Sequence, residues 1–125
     1  MLLLILWFLV TGASGRKFNG AWVNMEGSIA YLTEKDNILT GKYFSRVGDA
    51  KGNYTLHGSV YGNNTVWYVV WKNGIMDSKR ITTWNGVYDT SSSSINTVWT
   101  LTVDEGPGNF WESTKINTDT FARWG

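Results

Sequence analysis

From residue 16 onward the chain alternates apolar and polar positions in short segments rich in Val, Tyr, Trp, Thr and Ile, and no segment carries a helical stripe. Turn signals punctuate the alternation: Asp36-Asn37, Gly48-Asp49, Gly52-Asn53, Gly62-Asn63-Asn64, Asn73-Gly74, Ser91 to Ser94, and Asp104-Glu105-Gly106-Pro107-Gly108. Short strands separated by tight turns indicate an antiparallel sandwich or barrel. The spacing predicts eight strands, over roughly 18–25, 27–34, 38–47, 52–61, 65–73, 79–89, 95–103 and 111–119. Eight such strands close into an up-and-down β-barrel wide enough for side chains or one small ligand, and closure leaves no sheet edge exposed. The fold class expected is therefore all-β.

Side chains two apart share a face of a strand. One parity collects Ser28, Ala30 and Leu32; Tyr43, Ser45 and Val47; Trp67, Val69 and Trp71; Ser78, Arg80, Thr82 and Trp84; and Ile95, Thr97, Trp99 and Leu101. The other parity of the third segment, Lys42, Phe44 and Arg46, reads as an outer face. A barrel filled only by its own side chains would use branched aliphatics on the inner face. Here indoles alternate with hydroxyls. A buried hydroxyl without a partner costs about 1–3 kcal/mol, so these groups satisfy one another, or water, or a ligand. Flat apolar walls with a few convergent polar groups suit a small-molecule pocket. The competing reading is a packed core whose hydroxyls bond locally.

The first fifteen residues break the pattern. Leu2 to Val10 is one apolar run, too short to span a bilayer, followed by Gly12, Ala13, Ser14 and Gly15. This is the form of a secretory signal peptide cleaved before Arg16, which leaves residues 16–125 as one barrel domain and places the mature chain outside the cell, with no membrane segment. There is no cysteine, so the sheet and its assembly must hold the domain. Two sequons, Asn53-Tyr54-Thr55 and Asn63-Asn64-Thr65, are candidate glycosylation sites at Asn53 and Asn63. A net charge of +1 gives no footprint for nucleic acid or an anionic membrane. One histidine, His57, on the outer parity, no metal-ligand cluster and no phosphate loop leave nothing that reads as a catalytic centre.

Several motifs, in order across nearly all of residues 16–125, carry a resemblance. They are Gly20-Ala21-Trp22-Val23-Asn24 with Gly27-Ser28; Leu39-Thr40-Gly41-Lys42-Tyr43 with Val47-Gly48; Trp67-Tyr68-Val69-Val70-Trp71-Lys72-Asn73; Thr82-Thr83-Trp84-Asn85-Gly86; Ile95-Asn96-Thr97-Val98-Trp99; and Trp111-Glu112-Ser113-Thr114 with Asp119-Thr120-Phe121. The chain resembles the avidin and streptavidin family of biotin-binding barrels. That implies binding without catalysis: biotin held as a ligand, no cofactor, and sequestration outside the cell.

The resemblance also implies roles. Asn24, Ser28 and Tyr43 would donate to the ureido oxygen of biotin, and Ser45 and Asp119 would accept from its N–H groups. Thr82 would face the thioether sulfur. Trp71, Trp84, Trp99 and Leu101 would wall the bicycle. Val47, Gly48 and Asp49 would fold over the ligand, with the Asp49 backbone N–H facing its carboxylate, and Ser78 joins the expected lining. Trp111, expected at the start of the eighth strand, would enter the site of a neighbouring subunit, as in a homotetramer. On the residues alone Asp119 reads as a strand-end surface group, and Tyr43 and Trp111 as core aromatics.

Three positions depart from the family pattern: Glu26, where an apolar residue is common; Asp49, where an amide is frequent; and Arg80, where a small hydroxyl often meets the carboxylate of biotin. A guanidinium matches a carboxylate's two oxygens, so Arg80 is expected either to bind the free acid, oriented by Asp49 or Glu26, or only to pair with those acidic neighbours. The alternative function is a lipocalin-like carrier of another small apolar ligand. Lys17-Phe18-Asn19-Gly20-Ala21-Trp22 also fits the lipocalin opening, but the short chain, absent cysteines and Trp motifs stand against it.

Overall fold

Asp36 and Asn37 both adopt positive φ, 53° and 63°, the backbone that a two-residue hairpin loop requires and that Asp and Asn tolerate better than bulkier residues. That turn joins the second and third strands of a computed structural model that describes residues 16–46, 52–105, 108 and 110–124. The elements are β1 (Gly20–Val23), β2 (Ile29–Lys35), β3 (Ile38–Ser45), β4 (Gly52–Tyr61), β5 (Asn64–Lys72), β6 (Asp77–Asp89), β7 (Ser94–Val103), a single helical turn α1 (Phe110–Ser113), and β8 (Lys115–Arg123).

Each strand pairs antiparallel with the next, and β8 returns to β1 to close the barrel. The rows are staggered. Starting at Gly20, successive partners are Leu32, Gly41, Leu56, Val69, Thr82, Leu101 and Lys115, whereas β1 meets β8 near its far end, at Arg123. This shear lets strands tilt and the sheet close. At Gly41 a Cβ would lie 1.8 Å from the Tyr31 carbonyl oxygen, so only glycine permits that strand approach.

One end of the barrel is plugged. Phe18 and Trp22 are fully buried, and the Trp22 indole donates to the Phe18 carbonyl oxygen at 2.9 Å. Arg123 covers the Trp22 ring at 4.4 Å and donates to the carbonyl oxygens of Asn19, at 2.7 Å, and Lys17. Leu32, Leu39, Leu56, Val69, Ile95 and Phe121 fill the space above this plug.

The expected parity holds on the inner face, even where β6 is irregular. Between Val70↔Ile81 and Lys72↔Asp77, β6 carries two residues more than β5, and Lys79 takes a φ of 54°. An insertion of two preserves the alternation that an insertion of one would invert. Ser78, Arg80, Thr82 and Trp84 therefore stay on one face.

The eighth strand is a correction. It begins at Lys115 rather than 111, because the β7 ladder with β8 ends at Leu101↔Lys115. Without a partner strand the aromatic residues before it gain nothing from extension, and 110–113 coil into one turn. Trp111 thus stands on α1, 81% exposed, and not in the barrel wall.

Candidate ligand-binding site

Opposite the plug the barrel holds a cavity of about 420 Å³. Asn24, at the end of β1, organises one wall. Its side-chain oxygen accepts the backbone N–H groups of Glu26, at 3.1 Å, and Ser28, at 2.9 Å, which fixes the turn into β2. Those two donors settle the amide's orientation, so its NH2 faces Asp119 Oδ2 at 2.8 Å and the Tyr43 hydroxyl at 3.5 Å. The Ser28 oxygen accepts the Arg46 N–H at 3.1 Å.

Burial pushes the Tyr43 phenol far above its usual range, and the Asp119 carboxylate adds to the rise; a hydrogen bond from Ser28 opposes it. Tyr43 is therefore a protonated donor at any ordinary pH. Asp119 is half-buried and is itself raised, first by desolvation and further by the Glu26 carboxylate, against the Asn24 hydrogen bond. Asn24, Ser28, Tyr43 and Asp119 thus form one cluster holding three donors and a carboxylate.

The other walls are aromatic. Tyr43 lies 4.8 Å from Trp84 and edge-on to Trp71 at 5.7 Å. The Trp71 indole donates to Thr82 Oγ1 at 2.7 Å, so the Thr82 hydroxyl proton is left to point elsewhere. The indole nitrogens of Trp84 and of Trp67 beneath it are buried without a partner among the described residues. Trp99 and Leu101 on β7 complete the apolar surface.

A family model described as the avidin family matches residues 13–124. The chain belongs to the avidin family. Two solved structures similar to this avidin-family chain are a shwanavidin variant in complex with biotin and apo shwanavidin. Each is 27% identical and covers 86% of this chain and 97% of its own, with TM-scores of 0.75 and 0.77 respectively.

Twelve residues singled out in the sequence line the cavity of this avidin-family barrel: Asn24, Ser28, Tyr43, Ser45, Trp71, Ser78, Arg80, Thr82, Trp84, Trp99, Leu101 and Asp119. Val47, Gly48 and Asp49 lie outside the described residues, as do residues 1–15. Trp111 is not part of the lining. Glu26 lines the cavity but forms no ion pair with Arg80. Lys115, Asn117 and Thr118 also line it and were not anticipated. Lys115 and Asn117 share the parity of Asp119, which would have found them; Thr118 has the opposite parity, and no alternation points to it. Asn53 and Asn63 are exposed, and the Asn63 side-chain oxygen accepts from Lys17 Nζ. His57 is on the outside, against Tyr68 at 5.6 Å.

Proposed function

We propose that the chain binds biotin in the barrel cavity and does no chemistry on it. The observation that carries this reading is the Asn24–Ser28–Tyr43–Asp119 cluster set against indole walls. A cyclic urea presents one oxygen that needs several donors and two N–H groups that need acceptors. Asn24, Ser28 and Tyr43 supply the donors in the manner of an oxyanion hole, and Asp119 and Ser45 supply acceptors. The Thr82 hydroxyl faces the sulfur, and Trp71, Trp84, Trp99 and Leu101 enclose the bicycle. Family membership and the biotin complex of shwanavidin support the assignment. The lipocalin-like alternative asks for a greasier lumen than this ring of donors provides.

Finer parts of the reading rest on the sequence of residues 1–15, on the two sequons and on the resemblance. Residues 1–15 act as a secretory signal, and the mature chain, glycosylated at Asn53 or Asn63, sequesters biotin outside the cell. Val47, Gly48 and Asp49 fold over the ligand, with the Asp49 backbone N–H toward its carboxylate. Trp111, exposed on α1, enters a neighbouring subunit's cavity, which makes the working unit at least a dimer and in its full form a homotetramer.

Titration of residues 16–125 with free biotin, followed by tryptophan fluorescence and calorimetry, tests the central claim. Saturation at one biotin per chain with altered indole emission is expected. A flat titration at micromolar protein and millimolar biotin overturns it.

A further inference from the structure

Glu26 lines the cavity from the turn between β1 and β2. That turn is tightly held. Gly27 takes a φ of 84° and its N–H donates to the Asn24 carbonyl oxygen at 3.1 Å, while the Asn24 side-chain oxygen accepts from the Glu26 and Ser28 N–H groups. The same Asn24 side chain donates to Asp119, so one amide fixes the backbone of Glu26 and the carboxylate of Asp119 on a common wall. Every other element around Asp119 presents a neutral group to it. β3 presents the Tyr43 phenol, β7 presents Thr97, whose hydroxyl donates to the Asp119 carbonyl oxygen at 2.7 Å, and β8 presents the Thr120 N–H. Lys115 stands four residues away on β8, about 13 Å along the strand. Neither Lys115 nor Arg80 forms an ion pair with Asp119 or Glu26 among the described residues. The charge that bears on Asp119 is therefore Glu26, and it is of like sign. Two carboxylates facing one cavity, with no cation paired to either, resist joint ionisation.

We propose that Glu26 is a positioning residue for release: it acts through Asp119 so that the cavity holds a cyclic-urea ligand at neutral pH and lets it go in mild acid. Resting on the biotin reading above, this role requires the ionised Asp119 to accept a ureido N–H. As pH falls, the two carboxylates take up one proton between them before either would alone. A protonated Asp119 turns an O–H toward a ligand group that is itself a donor, and the acceptor is lost. With Glu26 neutralised, Asp119 stays ionised to lower pH. Glu26 is exposed, so solvent screens its charge and the displacement is modest. It amounts to about half a pH unit, which is about threefold in affinity on the acid limb.

The test is calorimetric titration from about pH 4 to pH 8 of the wild type, Glu26→Gln, Asp119→Asn and the Glu26→Gln/Asp119→Asn double variant. The ligands are biotin and its primary amide, which has no carboxyl group to titrate. The wild type should lose affinity for both compounds on the acid side, and Glu26→Gln should carry that loss about half a unit lower. The two profiles should meet near neutral pH, which also shows that the turn is intact, and high salt should narrow their separation. In the Asp119→Asn background, Glu26→Gln should leave the profile unchanged. Superimposable wild-type and Glu26→Gln profiles, or a displacement that persists without the Asp119 carboxylate, overturn the role while leaving biotin binding in place. A change by one factor at every pH makes Glu26 a structural part of the turn and overturns it as well. Failure of both compounds to bind the wild type at pH 7 overturns the biotin reading and this role with it.

Discussion

The Asn24 amide donates to Asp119 across 2.8 Å and thereby ties the β1–β2 turn to β8, two segments 95 residues apart in sequence. The bond fixes the position of the acceptor carboxylate on the cavity wall. Replacing Asp119 by Asn keeps a side-chain oxygen for Asn24 but removes the charge. Hydrogen bonds to charged groups contribute about 1.5–3 kcal/mol, so Asp119→Asn should weaken biotin binding by roughly ten- to a hundredfold. Fluorescence titration would read this directly, and an unchanged affinity would remove Asp119 from the ligand's acceptors.

The same carboxylate predicts a pH dependence. Desolvation raises Asp119 above its unfolded value, so the folded state holds the proton more tightly than the unfolded chain. Its contribution to stability is full below the unfolded carboxylate range and is lost as pH rises through the higher folded value. At neutral pH the ionised group therefore opposes folding of the empty barrel. Asp119→Asn should raise the Tm of the ligand-free protein at pH 7, and the gain should vanish well below the carboxylate range. Biotin affinity should move the other way and fall as acid protonates the acceptor. Thermal melts of both proteins across pH 3–7 would test the pair of trends, and a Tm difference independent of pH would contradict them.

Thr82 gives a prediction about stability rather than binding. It accepts the Trp71 indole N–H at 2.7 Å, whereas the neighbouring Trp67 and Trp84 nitrogens are buried without partners among the described residues. Thr82→Val preserves shape and leaves a third buried donor unsatisfied. The expected loss is about 1–3 kcal/mol in denaturant unfolding. In a Trp71→Phe background, where the donor is gone, the same substitution should lose much less.

Strand number, the hairpin at Asp36-Asn37 and most of the cavity lining were legible because they depend on local rules: turn chemistry and alternation. Ser78, Arg80, Thr82 and Trp84 were found on one face because the irregularity in β6 inserts two residues and leaves parity unchanged. The start of β8 was not legible. Phe110 and Trp111 favour strands intrinsically, but whether a strand forms depends on a partner ladder, which stops at Leu101↔Lys115. Lys115 lay inside the expected 111–119 strand at the parity of Asp119, but a lysine reads as a solvent-facing residue, so the search for indoles and hydroxyls passed over it. Nor could alternation show that Arg80 and Glu26 share the cavity without pairing, since pairing depends on three-dimensional reach.

Trp111 bears on assembly. An indole 81% exposed on a one-turn helix adds little to the stability of a single barrel. If a neighbouring copy receives it, Trp111→Lys should leave the Tm of dilute ligand-free protein nearly unchanged. It should also shift light-scattering mass toward smaller species and weaken biotin binding. Unchanged mass together with unchanged affinity would confine this residue to its own subunit.

At the opposite end, Arg123 joins three features of the plug: the Trp22 ring at 4.4 Å and the carbonyl oxygens of Asn19 and Lys17. A stacked guanidinium with two backbone acceptors is a geometry that a lysine ammonium cannot reproduce. Arg123→Ala should therefore destabilise the barrel by about 1–3 kcal/mol, and Arg123→Lys should recover only part of that. Neither should alter the stoichiometry of biotin binding, because Trp22 and Arg123 lie outside the cavity lining. Denaturant unfolding compared with calorimetry separates the two effects. A loss of binding sites in folded Arg123→Ala would mean that the plug also shapes the cavity from below.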